Sequence, residues 1–229
     1  MDQKQDINAL LLQVMAHDLL APLTAIKWQT ELLAHPKAKK EKHAAYVAQM
    51  QESTRIGISI TKHAHVAGSV LVGSYAPQPN TALLSSHVRT VLSDLIPQYE
   101  RHGITLELAV DDDCGERSFD PQLIGLFLWS LAKYMLTCVP AQQTVSIRAI
   151  APEHVEDAYS IVVMCATVPE AAVCVESFDA VNMRGAYDQA FVFSSLLKKV
   201  APLVDATVHA AQQDGGIVLQ ANVRGAAVQ

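Results

Sequence analysis

His17 and Asp18 stand side by side in VMAHDLLAPLTAI, residues 14–26, where nearly every neighbour is apolar. A neutral imidazole is a good nucleophile near pH 7, because its unperturbed pKa is about 6.5. Its nitrogen can take a phosphoryl group and give it up again. A carboxylate beside the other ring nitrogen fixes the tautomer and raises the basicity of the attacking one, and Asp18 is placed to do this. Pro22 removes one backbone hydrogen bond and so bends or loosens the helix just past the histidine. Taken alone, a histidine here reads more readily as a partly buried residue of an amphipathic helix than as a nucleophile; the surrounding string shifts the balance.

The elements that must carry this pair are helical. Leu12, Ala16, Leu19, Leu23, Ile26, Thr30 and Leu33 follow alternating steps of four and three, a coiled-coil-like seam. His35-Pro36 breaks the helix, and a polar stretch from Lys37 to Lys42 makes the turn. A second helix is expected from about His43 to Val72, with a weaker seam of Tyr46, Met50, Ser53, Gly57, Ile60, Ala64, Ala67 and Leu71. Two helices with a short connection form an antiparallel hairpin. One hairpin cannot bury both stripes, so pairing of two copies into a four-helix bundle is expected, making the protein a homodimer.

Tyr75 to Asn80 (YAPQPN) reads as a linker, after which the pattern changes. Leu83 to His102 predicts a helix ended by Gly103. Alternation at Ile104, Leu106, Leu108 and Val110 predicts a strand. A turn follows at Asp111 to Gly115, then a helix to about Cys138 with Asp120 as its N-cap. Strands are expected at Val145–Ile150 and Tyr159–Met164, a helix over Gln189–Val204, and a hairpin of Thr207–Gln212 and Ile217–Val223 around Asp214-Gly215-Gly216. This second unit reads as α+β, a sheet with helices on one face. The expected domains are 1–76 and 80–229.

Composition narrows the classes. The 229 residues carry a formal net charge of −6, which argues against a nucleic-acid partner. The densest basic cluster, Lys37, Lys39, Lys40 and Lys42, reads as a solvated loop. Only 17% of residues are charged and half are hydrophobic, so part of the surface is expected to be apolar or shared. Cys114, Cys138, Cys165 and Cys174 show no CxxC spacing and read as buried free thiols in a reducing compartment. The first twenty residues have no signal-peptide layout, and no apolar run is expected to approach the roughly 18 residues of a spanning helix. The expectation is a cytoplasmic protein with no membrane partner and no sensor domain in view.

HDLLAPLTAI resembles the H-box of bacterial histidine kinases, in which a histidine and an acidic residue are followed by Leu, two variable positions, Pro and Leu. His17, Asp18, Leu19, Pro22 and Leu23 match, and a helical hairpin of suitable length surrounds them. The resemblance implies that His17 is a phosphoacceptor. The residue four after the histidine, often Thr or Asn in the family, is Ala21 here, which implies weak phosphatase activity. Leu20 stands where the family is often basic.

The resemblance extends downstream. LSSHVRTVLSDLIPQYERHGITLELAVDDD is similar to the opening helix and strand of the kinase ATP-binding domain, and FDPQLIGLFLWSLAKYMLTCVP to its next helix. In an active kinase that helix carries asparagines that hold Mg²⁺ and phosphate. Anchored on Pro140, those positions fall at Ser130 and Tyr134. The adenine-binding Asp-x-Gly-x-Gly is replaced by IVVMCATVPEA, with no Asp between Ala158 and Phe178 and no Gly between Gly125 and Gly185. Phe191, Val192 and Phe193 stand near the phosphate-wrapping glycines, and bulky side chains block that close backbone approach. Autophosphorylation needs bound Mg²⁺-ATP, because phosphoryl transfer is mostly positioning and charge neutralisation.

The fold implied is an N-terminal helical hairpin forming a dimeric four-helix bundle, followed by a C-terminal α+β Bergerat-type domain, similar to a histidine kinase ATPase that has lost its site. The pairing resembles ChpT-type histidine phosphotransferases. The implied function is a phosphorelay step in which His17 carries a phosphoryl group between receiver-domain aspartates. No ATP is expected as cofactor and no metal site in this chain; Mg²⁺ is expected from the partner receiver. The expected partners are response-regulator receiver domains and an upstream hybrid kinase, docking on Leu20, Ala21, Thr24, Lys27 and Trp28. Two alternatives stay open: a divergent active kinase core, and a non-catalytic dimeric regulatory module.

Overall fold

The computed structural model describes residues 7–36, 39–112, 115–154, 157–168, 188–224 and 226–227. Two long helices lead, α1 (Ile7–Ala34) and α2 (His43–Leu71), packed against each other as the expected hairpin. Pro22 sits inside α1 without ending it, and its ring is buried. Its missing N–H is the one that would bond the carbonyl of Asp18, four residues back.

The stripe α1 turns toward α2 is not the one its heptad spacing marks. Leu11, Val14, Met15 and Pro22 are buried, one position out of step with Leu12, Ala16, Leu19, Leu23 and Ile26. At about 100° per residue the two stripes lie roughly a quarter-turn apart. Of the marked stripe, Leu12 and Leu23 stay open in the single chain, 71% and 57% exposed, while Leu19 and Ile26 are half-buried. On α2, Ser53, Ile60 and Ala67 are buried as expected, joined by Ile56, Val66 and Val70. By length and composition α1 could also cross a bilayer. Uninterrupted apolar runs are short, but its most apolar eighteen-residue window has a mean hydropathy of 1.6.

The C-terminal half is a five-stranded mixed sheet in the order β2-β4-β5-β7-β6, made of β2 (Thr105–Val110), β4 (Thr144–Ile150), β5 (Tyr159–Cys165), β6 (Ala206–Gln213) and β7 (Gly216–Val223). Only β2 and β4 run parallel. Alternate residues Val145, Ile147, Ala149 and Tyr159, Ile161, Val163 are buried in one core with the helices, as a half-covered sheet requires. A small second sheet of β1 (Asn80–Ala82), β3 (Arg117–Phe119) and β8 (Ala226–Ala227) was not expected from these short polar segments.

Two expected helices divide. Leu83–His102 is α3 (Leu84–Ser93) and α4 (Ile96–Arg101), because Pro97 cannot bond back to Ser93. Gln189–Val204 is α6 (Asp188–Val200) followed by a 3₁₀ turn through Pro202. The central helix α5 (Pro121–Cys138) is as expected, with Asp120 Oδ1 accepting from the N–H groups of Gln122 and Leu123. Every residue from Leu123 to Leu136 is buried, the mark of a helix apolar all round. Of the cysteines, Cys165 is buried and Cys138 half-buried, both as thiols; Cys114 and Cys174 lie outside the described residues.

The hairpin meets the C-terminal half through α2. The ring of His63 stacks on Trp129 of α5, centroids 5.1 Å apart and planes at 16°. Burial first, then the nearby charges of His87 and Lys62, pushes His63 down to about 4. His87 is lowered as well, mainly by burial. Below pH 6.5 the unfolded chain takes up protons that the folded chain refuses until about pH 4. Stability is therefore complete above about pH 6.5 and falls as pH drops toward 4, by up to roughly 3 kcal/mol from His63. Urea unfolding of His63→Phe between pH 7 and 4.5 should show a flatter pH dependence than the parent chain.

Candidate functional site

His17 projects from α1 with its side chain 74% exposed. Helical spacing sets Leu20, Ala21, Thr24 and Trp28 on its side of α1, and all four are exposed, as is Lys27. Leu20 and Trp28 each keep about three-fifths of their surface open, at 62% and 63%. Lys27 reaches Glu31 at 3.9 Å, one turn on. The expected docking residues thus form one accessible, largely apolar strip with the histidine at its N-terminal end.

Asp18 behaves differently from its neighbour. Its carboxylate is largely covered, and its Oδ1 lies 3.5 Å from His17 Nδ1. That separation is longer than a formed hydrogen bond but close enough to orient the ring electrostatically. With Nδ1 turned toward the carboxylate, Nε2 is the nitrogen left to attack. The other oxygen, Oδ2, lies 2.5 Å from Nζ of Lys133, on α5.

Lys133 was missed in the sequence. It is only 8% exposed, and its ammonium sits 5.8 Å from the ring centroid of Trp129 and 5.9 Å from that of Phe193. Gln98 Oε1 accepts a long hydrogen bond from it at 3.4 Å. An ammonium taken out of water costs several kcal/mol unless paired, and Asp18 supplies the pairing charge. The signal was available: Lys133 is the sole charged residue in the eighteen of α5, PQLIGLFLWSLAKYMLTC. A lone charge in so apolar a helix demands a partner from outside it.

These groups border one cleft of about 370 Å³ between the hairpin and the C-terminal half. His17, Asp18 and Ala21 line one wall; Arg101, Lys133 and Phe193 are among the residues of the other. A larger groove, about 920 Å³, runs on the other side of α2 past His63, His87 and Trp129.

The positions expected from the sequence to match a kinase nucleotide site are buried in packing. Ser130 and Tyr134 on α5 are fully buried, and the Ser130 hydroxyl has no hydrogen-bond partner. Phe191 and Phe193 of α6 are buried too, and Phe193 meets Trp129 edge-on at 5.2 Å. Side chains so arranged do not fit a magnesium–triphosphate complex: there is no carboxamide to ligate the metal at either α5 position, and aromatic bulk replaces glycine near the start of α6. The segment between β5 and α6, residues 169–187, lies outside the described residues. Among the described residues no group of three or more His, Cys, Asp or Glu side chains is placed to hold a metal ion.

The fold has known counterparts. A bacterial phosphotransferase superposes with a TM-score of 0.55 at 15% identity, covering 96% of this chain and 98% of its own. The chain has a histidine kinase-like fold. A histidine kinase from Burkholderia phymatum STM815 gives 0.52 at 16% identity, over 93% of this chain and 98% of its own. Full-length ShkA gives 0.55 at 16%, over 95% of this chain but 46% of its own. No protein-family model matches the sequence, and no curated protein matches it significantly. The kinase-like fold puts α1 and α2 in the place of the helical hairpin, and the mixed sheet with α3, α5 and α6 in the place of the ATPase-like domain.

Exposure of His17 carries a direct expectation. Its side chain is largely in water and holds nothing together, so His17→Ala should unfold within about 0.5 kcal/mol of the parent in urea. The substitution then tests chemistry without confounding it with folding.

Proposed function

We propose that this protein is a homodimeric histidine phosphotransferase of a two-component phosphorelay, carrying a phosphoryl group on His17 between receiver-domain aspartates without using ATP. The single observation that carries the reading is an exposed histidine, oriented by an adjacent carboxylate, on the hairpin of a histidine kinase-like fold. The burial of Ser130, Tyr134 and Phe193 supports a role that draws its phosphoryl group from another protein rather than from a nucleotide.

In the transfer, the lone pair of His17 Nε2 attacks the phosphorus of a receiver's aspartyl phosphate. The N–P bond forms as the acyl O–P bond breaks, and the aspartate leaves as carboxylate. The proton on Nδ1 stays facing Asp18, which offsets the positive charge that develops on the ring. A second receiver aspartate reverses the step. Bound with the receiver, Mg²⁺ would neutralise charge on the phosphoryl oxygens. Ala21 has no group to orient a hydrolytic water, which favours passing the phosphoryl on over losing it. Leu20, Thr24, Lys27 and Trp28 would seat the receiver. In this reading the protein is cytoplasmic and works between an upstream hybrid kinase and response regulators.

The open side chains of Leu12 and Leu23 support the dimer, because a helical hairpin with apolar groups left uncovered buries them against a second copy. Leu12→Glu with Leu23→Glu should convert the dimer to monomer in sedimentation equilibrium, while far-ultraviolet circular dichroism keeps the helix content.

Incubation with a ³²P-labelled receiver tests the chemistry. The parent chain should acquire acid-labile, base-stable label, and His17→Ala none. Equal labelling of both, or of neither, removes the reading. Saturable micromolar binding of ATP with Mg²⁺ would favour a kinase instead.

A further inference from the structure

Three observations meet at Asp18. Its Oδ1 faces His17 Nδ1, its Oδ2 is held by Lys133 at 2.5 Å, and Lys133 belongs to α5, buried along Leu123–Leu136 at the centre of the C-terminal half. Asp18 sits on α1 and Lys133 on α5, so the contact crosses from the hairpin to the C-terminal half. A carboxylate on an exposed helix is free to rotate about χ1 and χ2. One gripped by a buried ammonium is not, because the ammonium has almost no room to follow it.

We propose that Lys133 is a positioning residue for His17: by holding Oδ2 of Asp18 it aims Oδ1 at Nδ1 of the ring and fixes the Nδ1–H tautomer, leaving Nε2 as the nucleophile. The inference rests on the phosphorelay reading for its use, but the coupling itself needs no phosphoryl group. Free imidazole in water prefers the Nε2–H form, which would leave the wrong nitrogen nucleophilic, so an acceptor histidine gains from a fixed acid. The C-terminal half thus acts on the chemistry through one ion pair, with α5 serving as the mount for a lysine. Trp129 and Phe193 hold the ammonium from the sides, and Gln98 takes one of its remaining protons. Arg101 and His102, which also border the cleft at the C-terminal end of α4, bond instead to the carbonyls of Pro97 and Gln98.

The test reads the ring directly. In ¹⁵N-edited spectra of the full chain at pH 8, His17, assigned by its loss in His17→Ala, should be predominantly Nδ1–H in the parent. Lys133→Met should shift it toward Nε2–H and slow phosphoryl uptake by roughly tenfold. Lys133→Arg should restore most of both. Asp18→Ala should reproduce the tautomer change, and Lys133→Met added to Asp18→Ala should add little. A packing role for Lys133 would lower the melting temperature and leave the His17 spectrum alone, which would overturn the proposal. So would a full additional effect of Lys133→Met on top of Asp18→Ala. A parent chain that takes no label yet shows the coupled tautomer change would remove the phosphorelay and keep the Lys133–Asp18–His17 linkage.

Discussion

The ammonium of Lys133 is the charge around which the two halves of the chain meet. It lies among aromatic and aliphatic side chains, where an unpaired cation is not tolerated. Its compensating charge comes from the other half, at Asp18. The hairpin and the sheet unit are therefore joined by more than apolar contact between α2 and α5. The residue that completes the pair is also the one that turns His17, so structure and chemistry share a carboxylate.

Around that pair the rest of the molecule divides its tasks. α5 is buried on every side and fixes the geometry of the C-terminal core. α1 is buried along one stripe only, which leaves two further faces: one apolar and partly open, the other bearing His17 with Leu20, Thr24 and Trp28. Under the proposed function these faces would serve packing within the chain, pairing with a second copy and docking of a receiver, and a 28-residue helix has the length for all of them.

Most of the architecture was legible from periodicity and punctuation. Asp120 announced the start of α5, Asp214-Gly215 the last hairpin, and His35-Pro36 the end of α1. The misses have physical causes. Spacing alone shows an apolar stripe but not which neighbour covers it, so α1's contact with α2 was placed one residue out of step. Propensity did not register Pro97 as a break within Leu83–His102, and the three-residue strands β1 and β3 are too short for alternation to be seen. His17 and Asp18 were legible because their types and spacing are chemical. Lys133 was legible only in part: a lone charge in so apolar a helix calls for a partner, but that the partner is Asp18, more than a hundred residues away, is long-range information.

The joint between the two halves is stapled at both ends. Gly73 closes α2 in a left-handed conformation, φ 72°, and the backbone N–H of Tyr75 donates to Ser69 O while its hydroxyl donates to Asp120 at 3.0 Å. The N–H of Gln78 adds a second tie to the same carboxylate at 2.6 Å. Such a connection has little slack to absorb torque. The same helix α5 is thus tied to the end of the hairpin at its first turn, through Asp120, and to α1 in its last turn but one, through the ion pair of Lys133 with Asp18.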